Sequence, residues 1–84
     1  MTPAEIKHLI VQGLPAAEVR VSSDDGTHFE AEVIDSSFSG KLPLARHQMV
    51  YATLGERMGR EIHALSLRTL TPDELQQHRS RSSV

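Results

Sequence analysis

Apolar and polar residues alternate along two short stretches of the chain, and turn-forming residues lie between them. Residues 19–22 are Val-Arg-Val-Ser, and residues 29–33 are Phe-Glu-Ala-Glu-Val. An alternation with a period of two is typical of a strand that buries one face. Residues 24–27, Asp-Asp-Gly-Thr, supply the chemistry of a tight turn. The pattern therefore predicts a β-hairpin with one face more exposed to solvent than the other.

Two capping boxes predict the first and the last helix. The segments from Thr2 to Glu5 and from Thr71 to Glu74 both place threonine at the N-cap, proline at the first helical position and glutamate three residues after the cap. Apolar residues follow the first box at the spacing of one helix face, and we expect this helix to end near Gly13. The last helix is expected to fade into a polar tail.

A third helical pattern begins at Pro43, after a loop predicted over residues 36–41. Val50, Leu54 and Met58 recur at intervals of four residues. The segment also contains glycine at position 55, which costs about 1 kcal/mol relative to alanine inside a helix. We therefore expect two short helices rather than one long helix.

Residues 61–69 are predicted to form a third strand, which completes the order α-β-β-α-α-β-α. A three-stranded sheet must cover its apolar face, and the amphipathic helices can do so. The expected fold class is thus α+β, a two-layer sandwich whose other sheet face is largely exposed. We expect one domain over residues 1–79 and a polar tail over residues 80–84.

Composition narrows the classes of protein that the chain can belong to. The 84 residues include no cysteine, so the chain itself has no disulfide, no thiol nucleophile and no thiolate ligand for zinc. Glu5 and Lys7 interrupt the first apolar segment, and no cleavage-site pattern follows it, so we expect neither a signal peptide nor a membrane span there. We expect a soluble, cytoplasmic protein.

One histidine lies inside the apolar run of the predicted third strand. Strand alternation places His63 on the same face as Leu65 and Leu67, beside the expected core. Two interpretations follow from the residues. The ring is either partly buried, with its nitrogens bonded to a backbone carbonyl and water, or it is a ligand of a metal or cluster.

A second histidine, His28, stands where the predicted hairpin turn ends. It is either an ordinary exposed loop residue or a partner of His63 in a metal site. Two histidines fall short of the three or four protein ligands that zinc usually has. Two histidines are, however, the ligand set of one iron in those [2Fe-2S] clusters whose other iron is held by thiolates. A partner would have to supply those thiolates.

Four segments, taken in order, resemble the BolA-like proteins over nearly the whole chain. The short Asp-Gly hairpin loop is most similar to the small bacterial IbaG branch of that family. The segments are Thr27-His28-Phe29, Phe38-Ser39-Gly40-Lys41, Arg46-His47 ahead of Val50-Tyr51, and Ile62-His63-Ala64-Leu65-Ser66.

The resemblance implies a class II KH-like fold and a partnership with monothiol glutaredoxins. In that partnership the two proteins share a glutathione-ligated [2Fe-2S] cluster, and the family's invariant ligand corresponds to His63. A second ligand, histidine or cysteine, comes from the region between the first two strands, where His28 is the only such residue. The isolated chain is expected to bind no cluster and to be a monomer or a weak homodimer.

The resemblance is also compatible with a second function, that of a DNA-binding regulator of stress response and cell morphology. Residues 36–84 hold seven basic residues against four acidic ones, but the isoelectric point near 6.2 is far below that of a dedicated nucleic-acid domain. The glycines at 55 and 59 are one residue too far apart for a KH GXXG loop.

We do not expect the protein to be an enzyme, because so short a chain encloses little water-excluded volume. The candidate partner or nucleic-acid surface comprises Lys41, Arg46, Arg57, Arg60 and Arg68.

Overall fold

The computed structural model describes residues 1–82, including the side chains up to residue 79. Single 3₁₀ turns lie at Ser36–Phe38 and Gly55–Arg57, so the second of the two predicted middle helices is a 3₁₀ turn. The main elements are α1 (Pro3–Gly13), β1 (Glu18–Ser22), β2 (His28–Ile34), α2 (Pro43–Leu54), β3 (Ala64–Leu70) and α3 (Pro72–Ser82).

The three strands form one sheet in the order β1-β2-β3, with β2 in the centre. Strand β1 pairs antiparallel with β2, as the predicted hairpin requires. Strand β3 pairs parallel with β2, and the register places His28 opposite Ala64 and Ile34 opposite Leu70. Since parallel strands run in the same direction, β2 and β3 begin at the same edge of the sheet. We call this edge, with His28 and the adjoining His63, the histidine edge.

Helices α1 and α2 cover one face of the sheet, and the core lies between these two layers. Glu30 and Ser66 lie on the other face and are exposed. The predicted two-layer α+β sandwich is therefore confirmed. No helix within residues 1–82 is long and apolar enough to cross a membrane. The core includes Ile6, Ile10, Val19, Phe29, Ala31, Val33, Phe38, Val50, Leu54 and Ile62.

Both predicted capping boxes are formed. The hydroxyl oxygen of Thr2 accepts a hydrogen bond from the Glu5 amide, and the Glu5 carboxylate accepts one from the Thr2 amide, both at 3.2 Å. The same reciprocal pair joins Thr71 and Glu74 at 3.0 and 3.1 Å. Each box satisfies backbone donors that the first turn of a helix leaves without an internal partner.

Three features differ from the sequence-based expectation. Strand β3 begins at Ala64, three residues later than predicted, because the chain is still turning up to Ile62. The predicted loop over residues 36–41 contains a fully buried core residue, Phe38, on a 3₁₀ turn. Helix α3 continues to Ser82, into the predicted tail. The last two residues of that tail lie outside the described part of the chain.

Candidate functional site

His63 is exposed, at the point where the chain enters β3. The prediction that its ring lies beside the core is therefore wrong, and so is the interpretation of a partly buried structural histidine. The physical reason lies one residue earlier, since Ile62 is fully buried and fills the core position at this end of the sheet. The His63 imidazole is open to a ligand or a partner.

A tight turn before His63 holds its backbone in place. The carbonyl of Arg57 accepts hydrogen bonds from the amides of Arg60, Glu61 and Ile62 at 3.2, 3.0 and 2.9 Å. The amide of Gly59 donates to the carbonyl of Ile62 at 2.8 Å, and Gly59 has a φ of +88°. The position of His63 is thus defined by the turn on one side and by β3 on the other.

His28 is the first residue of β2, and its side chain is 74% exposed. Its Nδ1 lies 2.8 Å from Oδ2 of Asp25. The other oxygen of this carboxylate accepts hydrogen bonds from the amides of Thr27 and His28, both at 2.8 Å. The hydroxyl of Ser23 donates to the carbonyl of His28 at 2.6 Å. The hairpin turn therefore holds both the backbone and the ring of His28.

The hydrogen bonds to Asp25 also lower the pKa of its carboxyl group. The amide and then the ring of His28, together with the amide of Thr27, hold the pKa of the Asp25 carboxyl well below its usual range. A carboxylate that accepts several hydrogen bonds in its charged form is stabilised in that form. Asp25 therefore carries a negative charge beside His28 at neutral pH. Sequence reasoning assigned Asp25 only to the turn, although the Asp-x-x-His spacing was a signal of this pair.

The fold brings the two candidate ligands to one edge of the sheet. His28 pairs with Ala64, the residue that follows His63, so the two histidines lie on neighbouring strands at the histidine edge. Both side chains are exposed. Within the described residues, no group of three or more histidine, cysteine or acidic side chains is placed to hold a metal ion. The arrangement offers two imidazoles that a partner can reach.

The five predicted cations do not form one surface. Arg57 and Arg60 are exposed on the turn that precedes His63. Arg68 lies on the open face of the sheet, 3.8 Å from the carboxylate of Glu32. Lys41 is exposed near the other end of the sheet, in the segment before α2. Four of the five predicted cations are thus exposed at three separate places.

The fifth cation, Arg46, is buried, so its assignment to a partner or nucleic-acid surface is wrong. Its guanidinium makes a bidentate pair with Glu74 at 2.6 and 3.0 Å, and its Nε donates to the carbonyl of Lys41 at 2.8 Å. The Arg46 hydrogen bond lowers the pKa of Glu74 to about 2, and the same bond raises the pKa of Arg46. Arg46 joins α2 to α3, and its buried guanidinium is engaged in that role rather than presented to a phosphate.

Comparison with known proteins places this fold in a family. A family model described as BolA-like protein matches residues 7–74. An uncharacterized protein from the rpoN-murA intergenic region of Acinetobacter guillouiae is 35% identical over 75 residues, which cover 88% of this chain and 89% of that protein. The DNA-binding transcriptional regulator BolA of Vibrio cholerae is 41% identical over 51 residues, which cover 61% of this chain and 48% of that protein.

Solved structures agree with this result. The structure of a bolA protein homologue from Coxiella burnetii is 47% identical, has a TM-score of 0.74, and aligns over 90% of this chain and 97% of the homologue. The protein is thus a small α+β protein with the class II KH-like arrangement. It belongs to the BolA-like family, as the sequence resemblance predicts. Its assignment to the IbaG branch stays a prediction.

Proposed function

We propose that this protein is an adaptor that binds a monothiol glutaredoxin and co-ligates a [2Fe-2S] cluster for iron-sulfur trafficking or sensing. The observation that carries the proposal is the histidine edge, where His28 and His63 are both exposed at the start of neighbouring parallel strands. Two imidazoles on one iron are an established form of [2Fe-2S] ligation.

The partner must complete the ligand set, because this chain has no cysteine. Glutaredoxin and glutathione would supply the thiolates, while the two histidines would hold one iron. The cluster is cargo that the two proteins share. A neutral imidazole donates less negative charge than a thiolate, so histidine ligation makes a cluster easier to reduce. Entry of this protein into the complex would therefore change the reduction potential and the lability of the cluster.

The test is a titration followed by visible circular dichroism. A monothiol glutaredoxin carrying a [2Fe-2S] cluster and glutathione is titrated anaerobically with wild-type protein, with His63→Ala, or with His78→Ala as a control. His78 is an exposed histidine on α3, away from the histidine edge. We expect a saturating spectral change with the wild type and the control, and its loss with His63→Ala. No change with the wild type would refute the proposed function.

A DNA-binding regulator is the second candidate, and similarity to the Vibrio cholerae regulator BolA favours it. The separation of the exposed cations weighs against it, as does the neighbouring Glu32 beside Arg68. If duplex DNA is bound through phosphates, the affinity must fall steeply as salt rises. Fluorescence anisotropy at low and high salt tests this, with Arg57→Ala and Arg60→Ala as variants. Absence of binding at low salt would exclude this candidate.

A further inference from the structure

We propose that Asp25 is a positioning residue that fixes the tautomer of His28, so that Nε2 is the nitrogen His28 presents to the iron. This inference rests on the proposed function, because it concerns how His28 meets the cluster. It adds one residue to the site and one atom-level assignment. Asp25 itself makes no contact with the cluster in this proposal.

The tautomer follows from the chemistry of the pair. The carboxylate of Asp25 accepts hydrogen bonds from two backbone amides, and an aspartate at neutral pH is ionised and only accepts hydrogen bonds. The 2.8 Å contact between its Oδ2 and Nδ1 of His28 therefore requires a hydrogen on Nδ1. In a neutral imidazole that carries this hydrogen, the free lone pair is on Nε2. Only Nε2 can then bind a metal.

The carboxylate is held firmly enough to act on the ring. Its Oδ1 accepts hydrogen bonds from two amides, those of Thr27 and His28. The hydroxyl of Ser23 accepts a hydrogen bond from the Gly26 amide at 2.9 Å and donates to the carbonyl of His28. Asp25 and His28 are thereby joined through the backbone as well as through their side chains. The orientation of the ring is set before any partner arrives.

This arrangement is the one that metal-binding histidines usually have. Their second ring nitrogen donates to a carboxylate or carbonyl, which fixes the ring and raises the basicity of the ligating nitrogen. Loss of such a partner typically lowers metal affinity by about 10- to 100-fold. The Asp25–His28 pair has this arrangement.

The variant Asp25→Asn separates the tautomer from the shape of the turn. Its amide oxygen can still accept the hydrogen bonds from the two backbone amides, while its NH₂ group points at Nδ1 and donates to it. His28 must then accept at Nδ1 and carry its hydrogen on Nε2, which blocks the ligating position. Asp24→Asn is the matched control, because it makes the same charge change one residue earlier. The Asp24 side chain takes no part in the hydrogen bonds described for this turn.

The first measurement needs no cluster. Nitrogen-15 NMR of the imidazoles in the isolated protein, at about pH 8 where histidine is neutral, identifies the protonated nitrogen of each ring. We expect His28 to carry hydrogen on Nδ1 in the wild type and in Asp24→Asn, and on Nε2 in Asp25→Asn. A wild-type ring protonated on Nε2, or a tautomer unchanged by Asp25→Asn, would overturn the inference.

The second measurement uses the heterocomplex with cluster-loaded glutaredoxin. Pulsed EPR of the reduced cluster, with this protein labelled with nitrogen-15 histidine, counts the imidazoles bound to iron. We expect two with the wild type and Asp24→Asn, one with Asp25→Asn, and a dissociation constant about 10- to 100-fold weaker for Asp25→Asn. Two bound imidazoles and an unchanged dissociation constant in Asp25→Asn would overturn the inference.

The failure of this inference is distinguishable from the failure of the proposed function. If the wild type produces no heterocomplex, the proposed function fails, and the role of His28 as a ligand fails with it. If the wild type produces a heterocomplex with one bound imidazole that depends on His63 alone, the proposed function stands. In that case the role of Asp25 toward the cluster is refuted.

Discussion

At the scale of single residues, Arg46 links α3 to α2 through its ion pair with Glu74. Its side chain is 11% exposed and bonds to Glu74 and to the carbonyl of Lys41. We expect Arg46→Ala to lower the free energy of unfolding by about 2 kcal/mol, because hydrogen bonds to charged groups contribute about 1.5–3 kcal/mol. Chemical denaturation measures this. Arg60→Ala is the control, since its 3.9 Å pair with Glu56 is exposed and such pairs contribute little.

The ion pair of Arg46 and Glu74 also makes the free energy of unfolding depend on pH in the acidic range. The bond from Arg46, followed by the bond from the Thr71 amide, lowers the pKa of Glu74 from 4.5 to about 2 in the folded protein. A carboxyl group whose pKa is lower in the folded than in the unfolded protein stabilises the fold at pH values above its unfolded pKa. This contribution is lost as the pH falls through the folded pKa. We expect the stability difference between wild type and Glu74→Gln to be largest above pH 4.5 and to disappear below pH 2. A constant difference across this range, measured by urea denaturation, would contradict the prediction.

Among the structural elements, the turn before β3 determines where His63 lies. Gly59 has a φ of +88°, and a Cβ added there meets nothing within 4 Å, so alanine would introduce only backbone strain. Strain of this kind costs about 1–2 kcal/mol. We expect Gly59→Ala to lose about 1 kcal/mol of stability and to weaken the spectral response to cluster-loaded glutaredoxin, because His63 is displaced.

Gly40→Ala is the matched control for that prediction. Gly40 also has a positive φ, +76°, and open space around it, but it lies in the segment before α2. We expect a similar loss of stability and a normal response to glutaredoxin. An equal weakening of the response in both variants would mean that global stability, rather than the turn, controls the site.

Local patterns predicted most of the elements, and what they missed involves one turn, one long-range ion pair and one side-chain contact. The hairpin and both capping boxes depend on residues a few positions apart, so the sequence contains their full signal. The start of β3 was predicted too early because the apolar residue Ile62 continues the strand pattern, although it ends a turn. Arg46 was misassigned because its partner Glu74 is 28 residues away. The Asp25–His28 contact is local, and the Asp-x-x-His spacing is a signal of it, but the spacing alone does not show which atoms meet.

At the scale of the whole molecule, the candidate ligands and the main ion pair lie at opposite ends of the sheet. The two exposed histidines lie together at the histidine edge, whereas the ion pair of Arg46 and Glu74 joins the helices near the carboxyl end of β3. The exposed cations are spread between these places and the open sheet face. Such a distribution provides one concentrated site for ligation, and the five predicted cations give no continuous basic surface for a nucleic acid. It therefore favours the cluster-sharing adaptor over the DNA-binding regulator.

If the cluster joins the two proteins, its removal must weaken their association. A ligand that binds the complex better than its separate parts stabilises the complex by mass action. We expect chelation of the iron to move wild-type protein and glutaredoxin toward separate species in analytical ultracentrifugation. His63→Ala should sediment in both conditions as the wild type does without iron. A wild-type complex that persists unchanged after chelation would show that the proteins associate through their surfaces, and that the histidines do not hold them together.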